Sequence, residues 1–386
     1  MASSRYSRLC AFAVAVGICA LPALAADNEG RWLAVEFPHD SPVLPVSYNL
    51  LGPTNPRVQG TSLAIDVHLS LLLRNTGVKP VSGITLSVEA QSLGPSGKGS
   101  VTVPSLHIEP GEVFPVRVDM QLLRPFNAAV GQPGVAMVRV SLDCALFADL
   151  TAYGPDKLGS RRGLIVYELE ARRDRRYLAE LVESGKFTQV REELNFGLQD
   201  LSPPQLGLEL VHQPRIGGAS EHPFTVGAVA FRSAPVQPIG GNAQVSRNEV
   251  RAPRVEVKNT SQKPIRNIDM GWIVRDERGR DFVAGSVPTS LELAPVQTAK
   301  MTEPGTLRFS RPGGQPMVID ALMAFVNDVE FSDGKLWIPT RADIDEATND
   351  PILRRSLADS PEHQRLADIY RRKGMTGLVD ELQRLN

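Results

Sequence analysis

Cys144 is the first residue in this sequence that could carry chemistry, as a thiol nucleophile. Such a nucleophile needs a neighbouring base that removes its proton. Cys144 instead lies in the apolar segment 138–147, where a free cysteine usually behaves as a small buried hydrophobe. The sequence also lacks the Gly-x-Ser-x-Gly motif of a serine hydrolase. We therefore predict no catalytic residue and no enzymatic activity.

A group of carboxylates near the end of the second half could suggest a calcium site. Its members are Asp320, Asp328, Glu330 and Asp333. Their spacing is not that of an EF-hand loop, in which ligands alternate over twelve residues. Outward-facing strand positions and a turn aspartate explain them more simply. We predict no bound metal ion at these residues.

The histidines are equally unsuited to a zinc site, which needs ligands that converge at short spacing. The six are His39, His68, His107, His212, His222 and His363. His68 and His107 could meet across strands, but His68 stands between apolar Val67 and Leu69 and should point outward. The sequence therefore predicts a surface histidine there, and no cofactor.

The segment Gly94–Ser100 superficially resembles a phosphate-binding loop. A P-loop needs four residues between its glycines, followed by Lys-Ser or Lys-Thr, and this spacing is absent. The segment also joins two predicted strands, so no helix N-terminus would supply aligned N–H groups. We interpret it as a hairpin loop.

Two further features have both a functional and a structural interpretation. Asn259-Thr260-Ser261 is formally a glycosylation acceptor, whereas the related Asn75-Thr76-Gly77 is not, so a turn explains what they share. Trp272 and Trp337 could stack on a sugar ring. Tyr153 occupies the place of Trp337 in the first half, which favours a repeated core aromatic.

These features belong to a longer internal repeat. The segment 258–268 matches the segment 74–84, with Asn, Thr, Lys, Pro and Ile recurring 184 residues later. A second pair of segments, 147–155 and 331–339, shares the same offset. Two signatures in one register indicate a duplicated module.

Length and charge set limits on the function. The chain has 386 residues, which suits two or three domains. Its 42 Lys and Arg residues balance 43 Asp and Glu residues, so electrostatics favour neither nucleic acid nor an anionic membrane as partner.

Residues 1–25 have the pattern of a secretory signal peptide. Arg5 and Arg8 precede an apolar run, and Ala23-Leu24-Ala25 is a small-x-small cleavage site. The expected mature chain begins after Ala25 and retains Cys144 as its single cysteine, so it forms no internal disulfide. Export without disulfides suits a bacterial envelope protein. No later segment is long and apolar enough to cross a membrane. The predicted location is extracytoplasmic, periplasmic or secreted.

The rest of the chain is expected to be mainly β. Residues 26–45 read as an extended leader, and residues 46–156 alternate apolar and polar positions in six or more short strands. Residues 202–340 begin with a Pro- and Gly-rich connector and then repeat this strand pattern. Asp333-Gly334 predicts a type I′ hairpin, and Asp149-Leu150 predicts a different turn in the first half.

Helical sequence follows each β region. Residues 157–201 are a helical connector whose arginines, among them Arg172, Arg173, Arg175 and Arg176, we interpret as a solvated face rather than a basic patch. Residues 341–386 form a helical tail, with Ser360 as an N-cap before Pro361. This tail could dock on the second β region or on a partner, and docking is the expected arrangement.

The repeated Asn-Thr/Ser-x-x-x-Pro-Ile/Val signature and the closing Phe-x-Asp-Gly-x-x-Trp resemble Ig-like domains of bacterial exported proteins, such as CARDB and FxLYD-type sandwiches. The resemblance covers roughly 46–156 and 205–340. It implies two tandem immunoglobulin-like antiparallel β-sandwiches that serve in adhesion or envelope assembly, with no catalytic residue to transfer.

Three functions follow as hypotheses. The first is a non-catalytic protein–protein interaction module or scaffold of the bacterial envelope, with an unidentified envelope or extracellular protein as partner. The second is a carbohydrate-binding or adhesive module, which requires exposed aromatic side chains. The third, an enzyme such as a hydrolase, requires a polar pocket between the modules, for which the connector region at 202–248 is the favoured place. A pilus-type chaperone is a less favoured variant of the first.

Overall fold

The computed structural model describes residues 33–52, 57–60, 62–90, 98–125, 138–195, 206–211, 221–311 and 315–385. Within them the chain is mainly β, as expected from its strand patterns and turn residues. The predicted signal peptide, residues 26–32 of the leader and the core of the Gly94–Ser100 loop lie outside the described residues.

Among the described residues, nine strands form the first β region, which runs from residue 33 to residue 153. They are β1 (Leu33–Glu36), β2 (Val43–Leu50), β3 (Arg57–Gln59), β4 (Ser62–Asn75), β5 (Val81–Ala90), β6 (Lys98–Val103), β7 (Val113–Pro125), β8 (Val138–Phe147) and β9 (Ala152–Tyr153). One sheet has the order β1-β8-β5-β6, with β9 beside β8. The other has the order β2-β4-β3, with β7 on β4. Apolar residues of both sheets form a single core.

The start of this region corrects one expectation. Leu33–Glu36 is not part of a separate leader, because it pairs in parallel with Val138–Ser141 of β8. Val43 and Pro45 likewise pair with β4, opposite Asn75 and Leu73. Residues 33–45 are extended, as their prolines suggest, and among the described residues the β region begins at Leu33 rather than at residue 46.

Eleven strands are described in the second β region, which runs from residue 206 to residue 337. They are β10 (Gly207–Val211), β11 (His222–Val229), β12 (Val236–Ser246), β13 (Glu249–Asn259), β14 (Ile265–Asp276), β15 (Asp281–Leu293), β16 (Thr298–Thr302), β17 (Thr306–Arg311), β18 (Gln315–Pro316), β19 (Ile319–Phe331) and β20 (Leu336–Trp337). Their main order is β10-β17-β13-β12-β11-β19-β14-β15.

The two β regions differ in how their strands connect. In the first, the described part of β1 bonds β8 and belongs to a different sheet from β2. In the second, β11 bonds β19 on one side and β12 on the other. The described β11 is longer than β1 and bonds a strand on each side. The strands of the second region therefore form one hydrogen-bonded sheet of eleven strands around a second core.

The two copies of the Asn-Thr turn make the same hydrogen bonds. Asn75 donates to the carbonyl of Lys79 at 2.9 Å, and Asn259 donates to that of Lys263 at the same distance. Both asparagines are fully buried. Each also donates across the region, Asn75 to Ile108 and Asn259 to Leu293. The asparagine therefore ties its turn to a distant strand end, which a glycosylated side chain could not do.

The hairpin that follows β8 and β19 is also alike in the two copies, and here both turn predictions were wrong. Leu150 N–H donates to Phe147 and Gly334 N–H donates to Phe331, each at 2.9 Å. Asp333 lacks the positive φ that a type I′ turn requires. Leu150 adopts φ 66° where Gly334 has φ 79°. The surrounding β region imposes this conformation on a leucine that disfavours it.

Five helices complete the part of the chain that the structure describes. They are α1 (Ser160–Glu183), α2 (Phe187–Asn195), α3 (Arg341–Ala347), α4 (Pro351–Ala358) and α5 (Pro361–Leu385). As predicted, the Ser360 hydroxyl caps α5 by accepting from His363 N–H at 3.1 Å. Gly374, with φ 70°, interrupts α5. Among the described residues, no helix is both long and apolar enough to span a bilayer.

The tail does not dock where we expected. Leucines of α5, including Leu366, Leu378 and Leu382, share a core with α1 and α2 rather than with the second β region. Only α3 and α4 pack on that region, where Ile344 and Leu353 join a cluster around Phe231 and Phe325. The chain thus returns from the end of the second β region to the helices that follow the first.

The buried turn asparagine should be essential to its β region. Replacing Asn259 by Ala leaves the carbonyls of Lys263 and Leu293 without their donor, so we expect a loss of about 2–4 kcal/mol in the free energy of unfolding, measured in urea. The exposed strand residue Asn242 is the matched control, and Asn242→Ala should change stability by less than about 0.5 kcal/mol.

The strained turn gives a reciprocal prediction. Leu150→Gly should stabilise the protein, and Gly334→Ala should destabilise it, each by about 1 kcal/mol, because only glycine adopts this backbone without cost. A Cβ at Gly334 would have no neighbour within 4 Å. The change in the free energy of unfolding of Gly334→Ala therefore reports the cost of the backbone conformation alone. Equal stability of Gly334→Ala and wild type would contradict this account of the turn.

Candidate functional site

The candidate nucleophile Cys144 is buried in β8, with 1% of its surface exposed. It packs with Leu146 and with Leu164 of α1. Burial, followed by the nearby Asp156 and Asp143, raises the pKa of the Cys144 thiol to about 12. The thiol is therefore protonated at neutral pH and serves as part of the packing between β8 and α1.

The histidines do not converge. His68 points outward, as predicted, and its Nδ1 lies 2.9 Å from Asp119 on the neighbouring strand. His107 instead lies near Arg175 of α1, with 3.1 Å between its Nε2 and the guanidinium. Within the part of the chain that the structure describes, no group of three His, Cys, Asp or Glu side chains is arranged to hold a metal ion.

The four carboxylates considered for calcium separate into different environments. Asp320 is exposed on β19, and Asp333 lies in the following turn, where it pairs with Lys263 at 2.8 Å. Asp328 and Glu330 instead face a single arginine of α1, Arg162. Sequence reasoning grouped these two correctly but identified neither the arginine nor the additional carboxylate that completes the group.

That group, which we call the junction, consists of Arg162, Asp269, Asp328 and Glu330. Arg162 Nη1 lies 2.7 Å from Asp269, Nη2 contacts Asp328, and Nε lies 3.6 Å from Glu330. Asp328 is 1% exposed, and the other three side chains are 13–19% exposed. One helix residue is thereby fixed to two adjacent strands of the second β region.

Strand register explains why the carboxylates meet. Asp269 of β14 lies directly opposite Asp328 of β19 in an antiparallel pair. Residues so paired project from the same face of the sheet. Asn267 lies opposite Glu330 two residues along, beyond the Ile268–Val329 pair, and its amide donates to Glu330 at 2.5 Å. These two pairs share one face of the sheet and together present three carboxyl groups to α1.

The junction contains more acid than base. Burial, together with the charge of Asp269, raises the pKa of Asp328 to about 8, and Arg162 only partly offsets this. The pKa of Asp328 therefore lies above neutral pH, and this carboxyl is mostly protonated at pH 7.

A cleft of about 660 Å³ opens beside the junction. Its walls come from α1, from strands β14, β15 and β19, and from α4 and α5. Two more carboxyl groups line it, Glu170 and Asp359. Burial raises the pKa of Glu170 to about 7 and also raises that of Asp359. This cleft lies between the two β regions, where an enzyme was expected to have its polar pocket, and its described lining residues include none from the connector at 202–248.

A second buried network joins α1 to the tail helices. Asp174 is completely buried and lies 3.0 Å from Arg173 and 2.8 Å from Arg341 of α3, and it accepts a hydrogen bond from Ser360. Burial alone would raise the pKa of Asp174, but Arg173 and Arg341 outweigh it and hold the pKa below its ordinary value. Asp174 therefore remains ionised.

Arg175 extends this network and corrects the prediction of a solvated helix face. Its side chain is 6% exposed and lies 3.0 Å from Glu168 and 3.2 Å from Glu362 of α5. Arg173 is 8% exposed. The mixed charges of α1 suggested exposure, but they are instead covered by α3 and α5, which supply the matching charges. Arg176 is exposed, and the Arg172 side chain is 40% exposed, so the prediction of a solvated face fails for Arg173 and Arg175.

The two tryptophans considered for sugar stacking do not form an exposed platform. Trp272 is 3% exposed within the second core. Trp337 packs on Phe231, and its indole N–H donates to Ser233 at 3.2 Å. Tyr153, its counterpart, donates to Asp40 at 2.8 Å. These aromatics anchor the end of each β region.

The comparisons with known proteins leave the function open. No protein-family model and no curated protein matches the sequence. A Bordetella pertussis protein described as ApaA is 22% identical over 32% of this chain and 94% of its own, with a TM-score of 0.13. Red sea bream transglutaminase is 10% identical over 74% of this chain and 31% of its own, with a TM-score of 0.12. TM-scores this low carry no argument about fold or activity.

The junction makes a direct prediction about stability. Replacing Arg162 by Met leaves Asp269, Asp328 and Glu330 without their shared partner, and we expect a loss of about 2–4 kcal/mol in the free energy of unfolding at pH 7.5, because one buried partner of an ion group has been removed.

The neighbouring exposed residue Arg161 provides the matched control, and Arg161→Met should alter stability by less than about 0.5 kcal/mol. The double change Arg162→Met with Asp328→Asn should recover part of the loss, since it removes the most buried of the uncompensated carboxylates. An Arg162→Met variant as stable as the control would rule out a structural role for the junction.

Proposed function

We propose that this protein is an exported, non-catalytic scaffold or protein-interaction module of the bacterial envelope, built from two tandem immunoglobulin-like sandwiches. The observation that supports this most directly is that α1 is fixed at two places, in its first turn and past its midpoint, by charged groups from elsewhere in the chain. Arg162 meets the second β region, and Asp174 and Arg175 meet the tail helices. Such contacts hold the two β regions in a fixed position and orientation relative to each other, an arrangement that we call the frame.

A fixed frame is useful to a scaffold because it presents two surfaces at a constant separation and orientation. Buried ion pairs contribute little net stability compared with apolar packing, but they are specific about which groups meet. Here they specify the position of α1, which follows the first β region and packs on its strand β8 through Leu164 and Cys144. The apolar contacts of α5 then cover the opposite side of the helical layer.

The repeated turn supports the tandem part of the proposal. Lys79 pairs with Asp149 at 2.7 Å, and Lys263 pairs with Asp333 at 2.8 Å, each at the same offset of 184 residues. Each lysine also lies over the phenylalanine that precedes its aspartate, Phe147 or Phe331. This duplicated detail lies in turns and core aromatics, which favours modules that present surfaces.

The carbohydrate-binding alternative receives less support. It requires exposed aromatic rings, and the described tryptophans, Trp272 and Trp337, are instead buried or packed on Phe231. Sugar recognition through stacking on these rings is therefore disfavoured. We retain this function as the outcome to be tested against protein binding.

Cross-linking in the native host followed by mass spectrometry tests the proposal. We expect the wild-type chain, processed after Ala25, to capture one envelope or extracellular protein repeatedly, with cross-links from both β regions. The Arg162→Met variant should lose cross-links that need both regions together, while Arg161→Met should retain them. Failure to capture any protein, with the chain sedimenting with wall polysaccharide, would replace this function by carbohydrate binding.

A further inference from the structure

The strand β7 leaves one long edge of the first β region unpaired. β7 pairs with β4 over thirteen residues, from Val113 to Pro125, with no bulge or shift of register. Among the described residues, no strand bonds its other side. Pro115 lacks an N–H group, and a proline within a sheet turns that position away from the neighbouring strand. Odd-numbered residues from 115 to 123 therefore direct their backbone groups outward, because these directions alternate along an antiparallel strand.

The second β region shows how the corresponding edge is completed. The repeat offset of 184 residues aligns β7 with β16 and β17. Each pairs in antiparallel with the strand that ends at the repeated asparagine, which is β4 at Asn75 and β13 at Asn259. β17, however, also bonds β10 on its other side. The described part of the first region has no counterpart of β10, so its matching edge is open to a strand from outside.

β10 also shows what kind of strand fits such an edge. It runs antiparallel to β17, and its Leu208 and Leu210 pack against the second core. Glu209, between them, points outward and lies 2.9 Å from Arg308 of β17. The occupant thus alternates apolar residues toward the core with a charged residue that meets an opposite charge on its neighbour. β7 has the same alternation of buried apolar and exposed polar residues along its centre.

The charges on β7 make it complementary to itself. Arg117 and Asp119 lie two residues apart on the outer face of the sheet and are 69% and 42% exposed. A second β7 placed antiparallel with Arg117 opposite Arg117, or Asp119 opposite Asp119, would bring like charges together. In the register between these two, each Arg117 lies opposite the Asp119 of the other copy. Val118 then lies opposite Val118 of the other copy, on a two-fold axis.

We propose that two copies of this chain pair through β7 in this register, so that the β4–β7 sheets of their first β regions form one continuous antiparallel sheet. A two-fold contact of this kind closes on itself and leaves no β7 edge open. On the core side, the partly buried Met120 meets Val116 of the other copy. This dimer goes beyond the scaffold function and does not depend on it.

The residues that protect the edge are compatible with this partner. Proline and charged side chains are common means of preventing indiscriminate pairing at an edge strand. In the proposed register Pro115 lies opposite Gln121 of the other copy, where its carbonyl still accepts a hydrogen bond. Arg117 and Asp119 meet opposite charges. The same residues disfavour a strand that does not match them, and they permit a second copy.

Analytical ultracentrifugation of the purified full chain tests the dimer. We expect the wild-type chain to sediment as a dimer. Arg117→Asp should raise the dissociation constant at least about tenfold, because it places two pairs of like charges across the axis. Adding Asp119→Arg to this variant reverses both charges and should restore the dissociation constant to within about threefold of wild type. The control Arg139→Asp changes a 44% exposed arginine of the opposite sheet and should leave the dimer intact.

A cysteine on the two-fold axis gives a second test that depends on the register alone. Opposite residues of a non-hydrogen-bonded antiparallel pair are close enough for a disulfide. Val118→Cys should therefore form a covalent dimer under mild oxidation, seen on a non-reducing gel. Val116→Cys is a matched control, since Val116 is also buried but lies opposite Met120 of the other copy. Native Cys144 is buried and should not cross-link.

Three results would overturn this dimer. The first is a wild-type chain that sediments as a monomer. The second is a dimer that Arg117→Asp leaves intact, which would place the contact elsewhere on the molecule. The third is a monomer that captures an envelope protein through β7, which would assign the edge to that protein. Only the third result would also support the scaffold function, so the two proposals can fail separately.

Discussion

The burial of charged side chains on α1 is the constraint on which the arrangement of this protein depends. Asp174 and Glu168 are almost wholly removed from water, and so is Arg175. A charge in that position is tolerated only where partners of opposite sign reach it. Arg341 and Glu362, which supply those partners, lie far along the sequence. The burial of these charges therefore favours the helix packing in which each buried charge lies next to a partner of opposite sign.

The β part of the fold was largely accessible from sequence because its signals are local. Alternation of apolar and polar residues located β4, β5, β7 and β8 to within a few residues. The turn at Asn75 and its copy at Asn259 follow from the preference of asparagine for such bends. The joining of the second β region into one sheet was not accessible, since it depends on one longer strand, β11, bonding on both sides. The conformation of Leu150 was missed because the tertiary structure overrides its local preference.

The junction shows the limit of sequence reasoning more clearly. Asp328 and Glu330 attracted attention as acidic residues two apart, which on a strand share a face. Their meeting with Asp269 depends on the register of β14 and β19, and their meeting with Arg162 depends on where α1 docks. Arg162 has no distinguishing local pattern beside Arg161. The sequence signal for these contacts was the number of charged residues on α1. We interpreted those residues as a solvent-facing surface, whereas the tail helices cover part of them.

The return of α5 to α1 also orders events during synthesis. Arg175 and Glu362 are 187 residues apart, so the nascent chain carries α1 for a long interval before its partner helix exists. During that interval the charged side of α1 faces water, which keeps an unfinished chain from presenting an apolar helix to its neighbours, a common origin of aggregation in partly folded intermediates. The charged residues that later pair with the tail helices first keep the unfinished chain soluble. The same residues thus limit aggregation during synthesis and specify the helix packing in the complete protein.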